Sequence, residues 1–322
     1  MIRLIPVPTP FAVGEVNCYL VEDDPLTLVD TGPDLGTSLA ALEAGLAEHG
    51  RKVEDLERIV LTHQHIDHVG LAATLAERSG AEVCAIAPLA PWMERWHESI
   101  DADDRFGEEL MLRHGVPEEQ AAAVRKLSAS FHDWGRNVRV DRPLEDGGAL
   151  EFAGRTWKVL HRPGHSPSDT LFFDEASGEL IGGDHLLKSI SSNALVQLPL
   201  DGRASAVDRP RPLLSFINSL KATREMDVRI VYGGHRGPID DHRSVIDERM
   251  RGYERRARKI SRLLEERPKT AFELTQDMWG NVAVTQTYLT LSEVLGHIDL
   301  LIERGQAREI VDEDFVRYAT AD

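Results

Sequence analysis

Cysteine is almost missing from this chain: Cys18 and Cys84 are the only two in 322 residues. Both sit in apolar, strand-like runs, so buried free thiols in a reducing compartment are expected. Positive charge is scarce as well, with 37 Lys and Arg against 54 Asp and Glu and a formal net charge of −17. Such a surface repels a polyanion over much of its area and leaves nucleic acid only a local basic patch. No apolar run approaches the length of a membrane span, and Met1-Ile2-Arg3-Leu4-Ile5-Pro6 has no secretory hydrophobic region. A cytoplasmic chain without membrane attachment is therefore expected. Hydrophobic residues make up 42%, which excludes disorder and allows one large domain plus a small one.

What the chain does have is a cluster of metal-ligand side chains. Thr62-His63-Gln64-His65-Ile66-Asp67-His68 holds four in seven residues. The run before it, Arg58-Ile59-Val60-Leu61, reads as a buried strand, and Val69 to Ala76 reads as a helix. The cluster thus falls on a strand-to-helix loop, where side chains from a rigid scaffold converge. His63 and His65, two apart on extended backbone, point the same way, as one metal requires. Asp67 and His68 lie past the turn and can face a second metal nearby. Imidazole nitrogen and carboxylate oxygen suit borderline metals such as zinc.

This stretch resembles the His-x-His-x-Asp-His signature of the metallo-β-lactamase-fold hydrolases, the family that includes glyoxalase II. The resemblance implies a four-layer αββα sandwich over residues 1–240. It also implies three more ligands. His165, presented by the Pro163-Gly164 turn, matches the family's Pro-Gly-His position and completes the first metal's three histidines. Asp184, in Gly182-Gly183-Asp184-His185, matches the bridging carboxylate. His235, in Gly233-Gly234-His235, matches the last histidine of the second metal. Asp30 ends the strand Leu26–Asp30 and either caps the Asp30-Thr31-Gly32-Pro33 turn or orients a ligand; the family's aspartate at that place implies the second. His161 and His185 match no ligand position. Two zinc ions are expected, with iron or manganese also compatible.

The intervening elements follow a β/α rhythm, with a helix over 36–48 closed by Gly50 and strands over 17–21, 81–86, 138–140, 149–152 and 156–160. Residues 88–136 break it as a charged helical insertion. It holds Trp92, Trp96 and Trp134, which either pack the insertion onto the body or form a lid over the pocket. Lys188 to Asn193 follows Asp184 closely enough to line that pocket.

Beyond 240 the composition shifts. Met250 to Arg267 reads as a basic helix, Thr270-Ala271-Phe272-Glu273-Leu274 opens a short one, and Thr285 to Arg304 forms another, ended by Gly305. Ala307–Val311 and Asp314–Tyr318 look like a two-stranded wing. The layout resembles a small winged helix over 241–322, which some relatives of this hydrolase family carry. The recognition-helix candidate carries Glu293, Asp299 and Glu303 against Arg304 alone, poor footing on phosphates. Packing, dimerisation or covering the active-site mouth is the better expectation for this tail.

The expected chemistry is that of a binuclear hydrolase. Two metals bind a bridging water and lower its pKa toward neutrality, so that hydroxide attacks an electrophilic centre, with Asp67 orienting the water or carrying its proton. The acidic charge and the aromatic insertion favour a small acyl ester or thioester. A phosphodiesterase or endoribonuclease of the same fold is the alternative, since fold and metal site do not set the substrate.

Overall fold

The structure, a computed structural model, describes residues 2–281, 286–311 and 315–321. Strands β1 (Ile2–Val7), β2 (Val16–Val21), β3 (Thr27–Val29), β4 (Arg58–Val60), β5 (Glu82–Ile86) and β6 (Arg142–Leu144) form one sheet in that order. Strands β7 (Ala149–Phe152), β8 (Arg155–His161), β9 (Thr170–Asp174), β10 (Glu179–Gly183) and β11 (Ile230–Gly233) form the second, in the order β11-β10-β9-β8-β7.

Period-two alternation explains how the second sheet is buried on both faces. Val159, Phe172 and Ile181 join the core shared with the first sheet. Their strand neighbours Leu160, Leu171, Phe173 and Leu180 turn outward to a second cluster. The helices close both outer faces. On the first sheet these are α1 (Gly36–Glu48), the single turn α2 (Ile66–Val69) and α3 (Ala72–Ser79). The insertion supplies α4 (Ala90–Glu94), α5 (Trp96–Arg113) and α6 (Glu118–Ala129). The second sheet is covered by α7 (Pro212–Arg224) and α8 (His242–Glu266), whose Leu213, Phe216, Leu220, Ile246 and Tyr253 meet its outward residues. The expected αββα sandwich is the fold.

The chain finishes with β12 (Lys269–Thr270), α9 (Ala271–Trp279), α10 (Thr287–Glu303), β13 (Ala307–Val311) and β14 (Val316–Thr320). Thr270 opens α9 with a capping box: its hydroxyl accepts from the Glu273 N–H at 3.1 Å and Glu273 returns a bond to the Thr270 N–H at 2.8 Å. β13 and β14 pair as expected, and β12 adds a third strand on the far side of β14. These elements share one apolar cluster with the insertion: Phe106, Leu110, Met111 and Val116 pack with Ile260, Leu295, Ile298 and Tyr318.

Several local expectations are corrected. Val138 and Val140 are buried but form no strand; the Val138 N–H goes to the Met93 carbonyl, and the ladder to β5 begins at Arg142. The helix expected over 69–76 starts at Ile66 and breaks at Gly70-Leu71. The reason is a diverted hydrogen bond: the Leu71 N–H turns to the Gly32 carbonyl at 2.9 Å, beside a Gly70 where a side chain would meet the Trp134 carbonyl at 2.3 Å. The basic helix starts at His242, because the Asp241 carboxylate caps it by accepting from the Ser244 N–H at 2.9 Å. The final strand runs Val316–Thr320; Thr285 and Asp314, the expected starts of two elements, lie outside the described residues. Trp92 and Trp96 sit edge to face, with centroids 5.2 Å apart, inside the main core, so for these two the packing reading holds. Among the described residues no helix is long and apolar enough to cross a membrane.

Candidate metal centre

Every expected ligand follows the end of a strand, and the two sheets bring these ends to one edge. His63 and His65 follow β4, with Asp67 and His68 on α2. His165 follows β8, Asp184 follows β10 and His235 follows β11. The side chains converge as two clusters within which candidate ligand atoms lie no more than 4.8 Å apart: His63, His65 and His165 in one, Asp67, His68 and His235 in the other. Asp184 stands between them. Its Oδ1 is 3.5 Å from His68 Nε2, and its Oδ2 is 3.6 Å from His165 Nε2 and 3.5 Å from His235 Nε2.

The free ring nitrogen of each histidine is aimed by an oxygen on its far side. His68 Nδ1 donates to Asp30 Oδ2 at 2.7 Å, His165 Nδ1 to the Asn193 carbonyl at 2.9 Å, and His235 Nδ1 to the Glu15 carbonyl at 2.6 Å. The Thr62 hydroxyl donates to Asp30, so it accepts from His63 Nδ1 at 3.0 Å. His65 reverses the pattern, with Nε2 donating to Gln197 Oε1 at 3.1 Å. The remaining nitrogens are left with lone pairs facing inward. His65 Nδ1 lies 3.1 Å from His63 Nε2 and 2.9 Å from His165 Nε2, a convergence of acceptors that a cation resolves. His68 Nε2, His235 Nε2 and Asp184 Oδ1 are buried without a hydrogen bond. Unsatisfied buried atoms of this kind are costly, and coordination satisfies them. The residues present therefore fit a metal.

The electrostatics agree. Burial, reinforced by neighbouring imidazoles, holds His63 and His165 well below the ordinary imidazole range and so keeps them neutral. Burial also lowers His65 and raises Asp184. Burial alone would lower His68, but the carboxylates of Asp30, Asp184 and Asp67 lift it to about 10. Three carboxylates around one imidazole make a cage that demands positive charge.

The Asp30 carboxylate reaches past its own turn to a candidate ligand. Asp30 adopts φ 58°, a conformation unfavourable for a side-chain-bearing residue, and this aims its carboxylate at His68, the Thr62 N–H and the Thr62 hydroxyl. His161 donates to the Pro167 carbonyl, and His185 turns away to Thr223, so neither joins the centre. Three supports carry no signal in the sequence. The Asn17 amide donates to the carbonyls of Gly233 and Arg236 at 2.8 and 2.7 Å, and the Tyr19 hydroxyl donates to Gly233 at 2.6 Å, gripping the loop that presents His235. Asp169 accepts from the His165 and Ser166 N–H groups at 2.8 and 2.9 Å and shapes the turn around His165. Gln197 is the third.

An αββα sandwich with a histidine–aspartate cluster at the strand ends defines a metal-dependent hydrolase. The chain belongs to the metallo-beta-lactamase superfamily, whose family pattern matches residues 12–235. It is 35% identical over 297 residues to the probable metallo-hydrolase YqjP of Bacillus subtilis, covering 92% of this chain and 91% of that one. A metallo-beta-lactamase family protein of Thermus thermophilus superposes with a TM-score of 0.81 at 32% identity, over 99% of this chain and 98% of that chain. The hydroxyacylglutathione hydrolase GloC of Haemophilus influenzae is 26% identical over 58% of this chain and 72% of its own length.

Proposed function

We propose that this chain is a binuclear hydrolase of small acyl esters or thioesters. The observation that carries the reading is the placement of Asp184 between two complete ligand clusters, 3.5–3.6 Å from an imidazole nitrogen of each. His63 Nε2, His65 Nδ1 and His165 Nε2 would hold one metal, Asp67, His68 Nε2 and His235 Nε2 the other, and the Asp184 carboxylate both. Metals so held supply Lewis-acid polarisation of a carbonyl oxygen and water of lowered pKa. The protein's own residues do the rest. Asp30 fixes the His68 tautomer. The Asn17 and Tyr19 clamp fixes the His235 loop. Asp67, 3.4 Å from His235 Nε2, is in our reading also the group that orients a water or carries its proton. Zinc is the metal best matched to a nitrogen-rich donor set, with iron or manganese as substitutes.

The thioester preference is supported by a relative named a hydroxyacylglutathione hydrolase and by the acidity of the chain. A second reading, a phosphodiesterase or ribonuclease, is favoured by one feature. Arg251, Arg255, Arg258 and Arg262 lie along one exposed stripe of α8, next to the tail we read as winged-helix-like. The test is a panel of thioesters, lactones, bis-p-nitrophenyl phosphate and single-stranded RNA presented to zinc-loaded protein. Turnover of an acyl substrate above all phosphodiesters is expected. RNA cleavage exceeding every acyl substrate would replace this reading with the second.

A further inference from the structure

Helix α10 reaches the metal centre without touching it. Tyr288 and Ser292 lie one turn apart on this helix and share a face. The Tyr288 hydroxyl donates to the Val196 carbonyl, and Ser292 Oγ accepts from the Val196 N–H at 3.3 Å. Val196 is fully buried, so both of its backbone groups are satisfied by one helix. Its neighbours lead to the centre. The Asn193 carbonyl accepts from His165 Nδ1 at 2.9 Å, the Leu195 N–H donates to the His165 carbonyl at 3.4 Å, and Gln197 Oε1 accepts from His65 Nε2 at 3.1 Å.

The same strap is tied at two further points. The Leu198 N–H meets the Asp103 carboxylate on α5. Downstream, Arg209 makes two bonds, at 2.8 and 2.7 Å, to the fully buried Asp299 of α10. The fit between α5 and α10 is close: a side chain at Gly107 would lie 3.2 Å from the Tyr288 ring. A strap held only for packing would need the Val196 side chain and its apolar contacts. Here Asn193 and Gln197 accept from two of the three imidazoles of one cluster, and the Leu195 N–H holds the backbone of one of them.

We propose that Tyr288 and Ser292 are positioning residues for the His63/His65/His165 site, acting through residues 193–197 on His65 and His165. The proposal rests on the binuclear reading for the identity of that site as a metal site. The tail of the chain is then part of the metal-binding apparatus and sets the angle at which two imidazoles meet the ion. Outer partners of metal-bound histidines commonly change affinity by about 10- to 100-fold. Gln197 touches a ligand directly and falls in that range. Tyr288 and Ser292 act one link further out, and about 3- to 10-fold is expected.

The experiment uses the intact chain, stripped of metal and titrated with zinc(II) against a chelating dye and with cobalt(II) followed by its visible spectrum. Gln197→Ala should weaken one of two binding steps by about 10-fold or more. Tyr288→Phe and Ser292→Ala should weaken the same step less and shift the same cobalt band. Tyr288→Phe added to Gln197→Ala should weaken that step by less than the sum of the two single effects, because both act through one strap. Ile298→Val, elsewhere on α10, is the control for general loosening; it should lower thermal stability to a similar extent and leave the cobalt spectrum unchanged. Unchanged affinity and spectrum in both Tyr288→Phe and Ser292→Ala would overturn the proposal, as would an equal change in Ile298→Val. Wild-type protein that takes up fewer than two metals would instead overturn the binuclear reading itself, a separate result.

Discussion

Asp30 Oδ2 accepts a hydrogen bond from His68 Nδ1 at 2.7 Å, and the two side chains are 2% and 0% exposed. The pair sets which nitrogen of His68 faces Asp184, so Asp30 acts one bond away from the site while Asp184 stands inside it. Asp30→Ala should lower hydrolysis by about 10- to 100-fold with partial loss of metal. Asp184→Ala should lose much more, and most of its metal. Elemental analysis and turnover on the same folded preparations check this. Equal losses at equal metal content would refute the two roles.

Gly234 has no room for a side chain. A Cβ there would lie 2.3 Å from Asp184 Oδ1 and 2.6 Å from His68 Cε1. Gly234→Ala should therefore displace both groups and strip the Asp67/His68/His235 site while the fold survives. One metal or less per chain, with an unchanged far-ultraviolet circular dichroism spectrum, is the expected outcome.

Asp103 gives a pH signature away from the metal centre. Burial, with a contribution from Asp104, pushes its carboxyl up to about 7. In the unfolded chain it titrates at about 4. Between these values the folded state holds a proton that the unfolded state has lost, so this group's contribution to stability falls as pH rises from about 4 to 7 and is level above. Asp103→Asn should remove that slope and raise the melting temperature relative to wild type at pH 8 more than at pH 4. A parallel pair of melting curves across this range would contradict the shift.

The tail is not a detachable module, because its core is shared with the insertion. Leu295→Ala, at a fully buried position of α10, should cost about 2–5 kcal/mol. Truncation after Asp240 should expose Phe106, Leu110 and Met111 and yield insoluble protein. A soluble truncated chain with an intact cooperative transition would show that the tail folds apart.

By itself the sequence displayed the His63 to His68 cluster after an apolar strand, and its resemblance to the metallo-β-lactamase-fold hydrolases implied the sandwich and the candidate ligands His165, Asp184 and His235. Apolar strands have period two, and metal-ligand side chains placed just past strand ends are a local pattern that one chain segment displays on its own. His63, His65, Asp67 and His68 illustrate this, being separated by no more than five positions. The supports around them follow no local rule. Asn17, Gln197 and Tyr288 are ordinary polar residues in composition and spacing. Tyr288 meets Val196 across 92 positions, and Asn17 meets Gly233 across 216. The break at Gly70-Leu71 and the missing strand at Val138 have the same origin, since each depends on a backbone carbonyl from a distant segment, Gly32 in one case and Met93 in the other. Only the tertiary structure decided these points, because a hydrogen bond between remote segments depends on where the folded chain crosses itself.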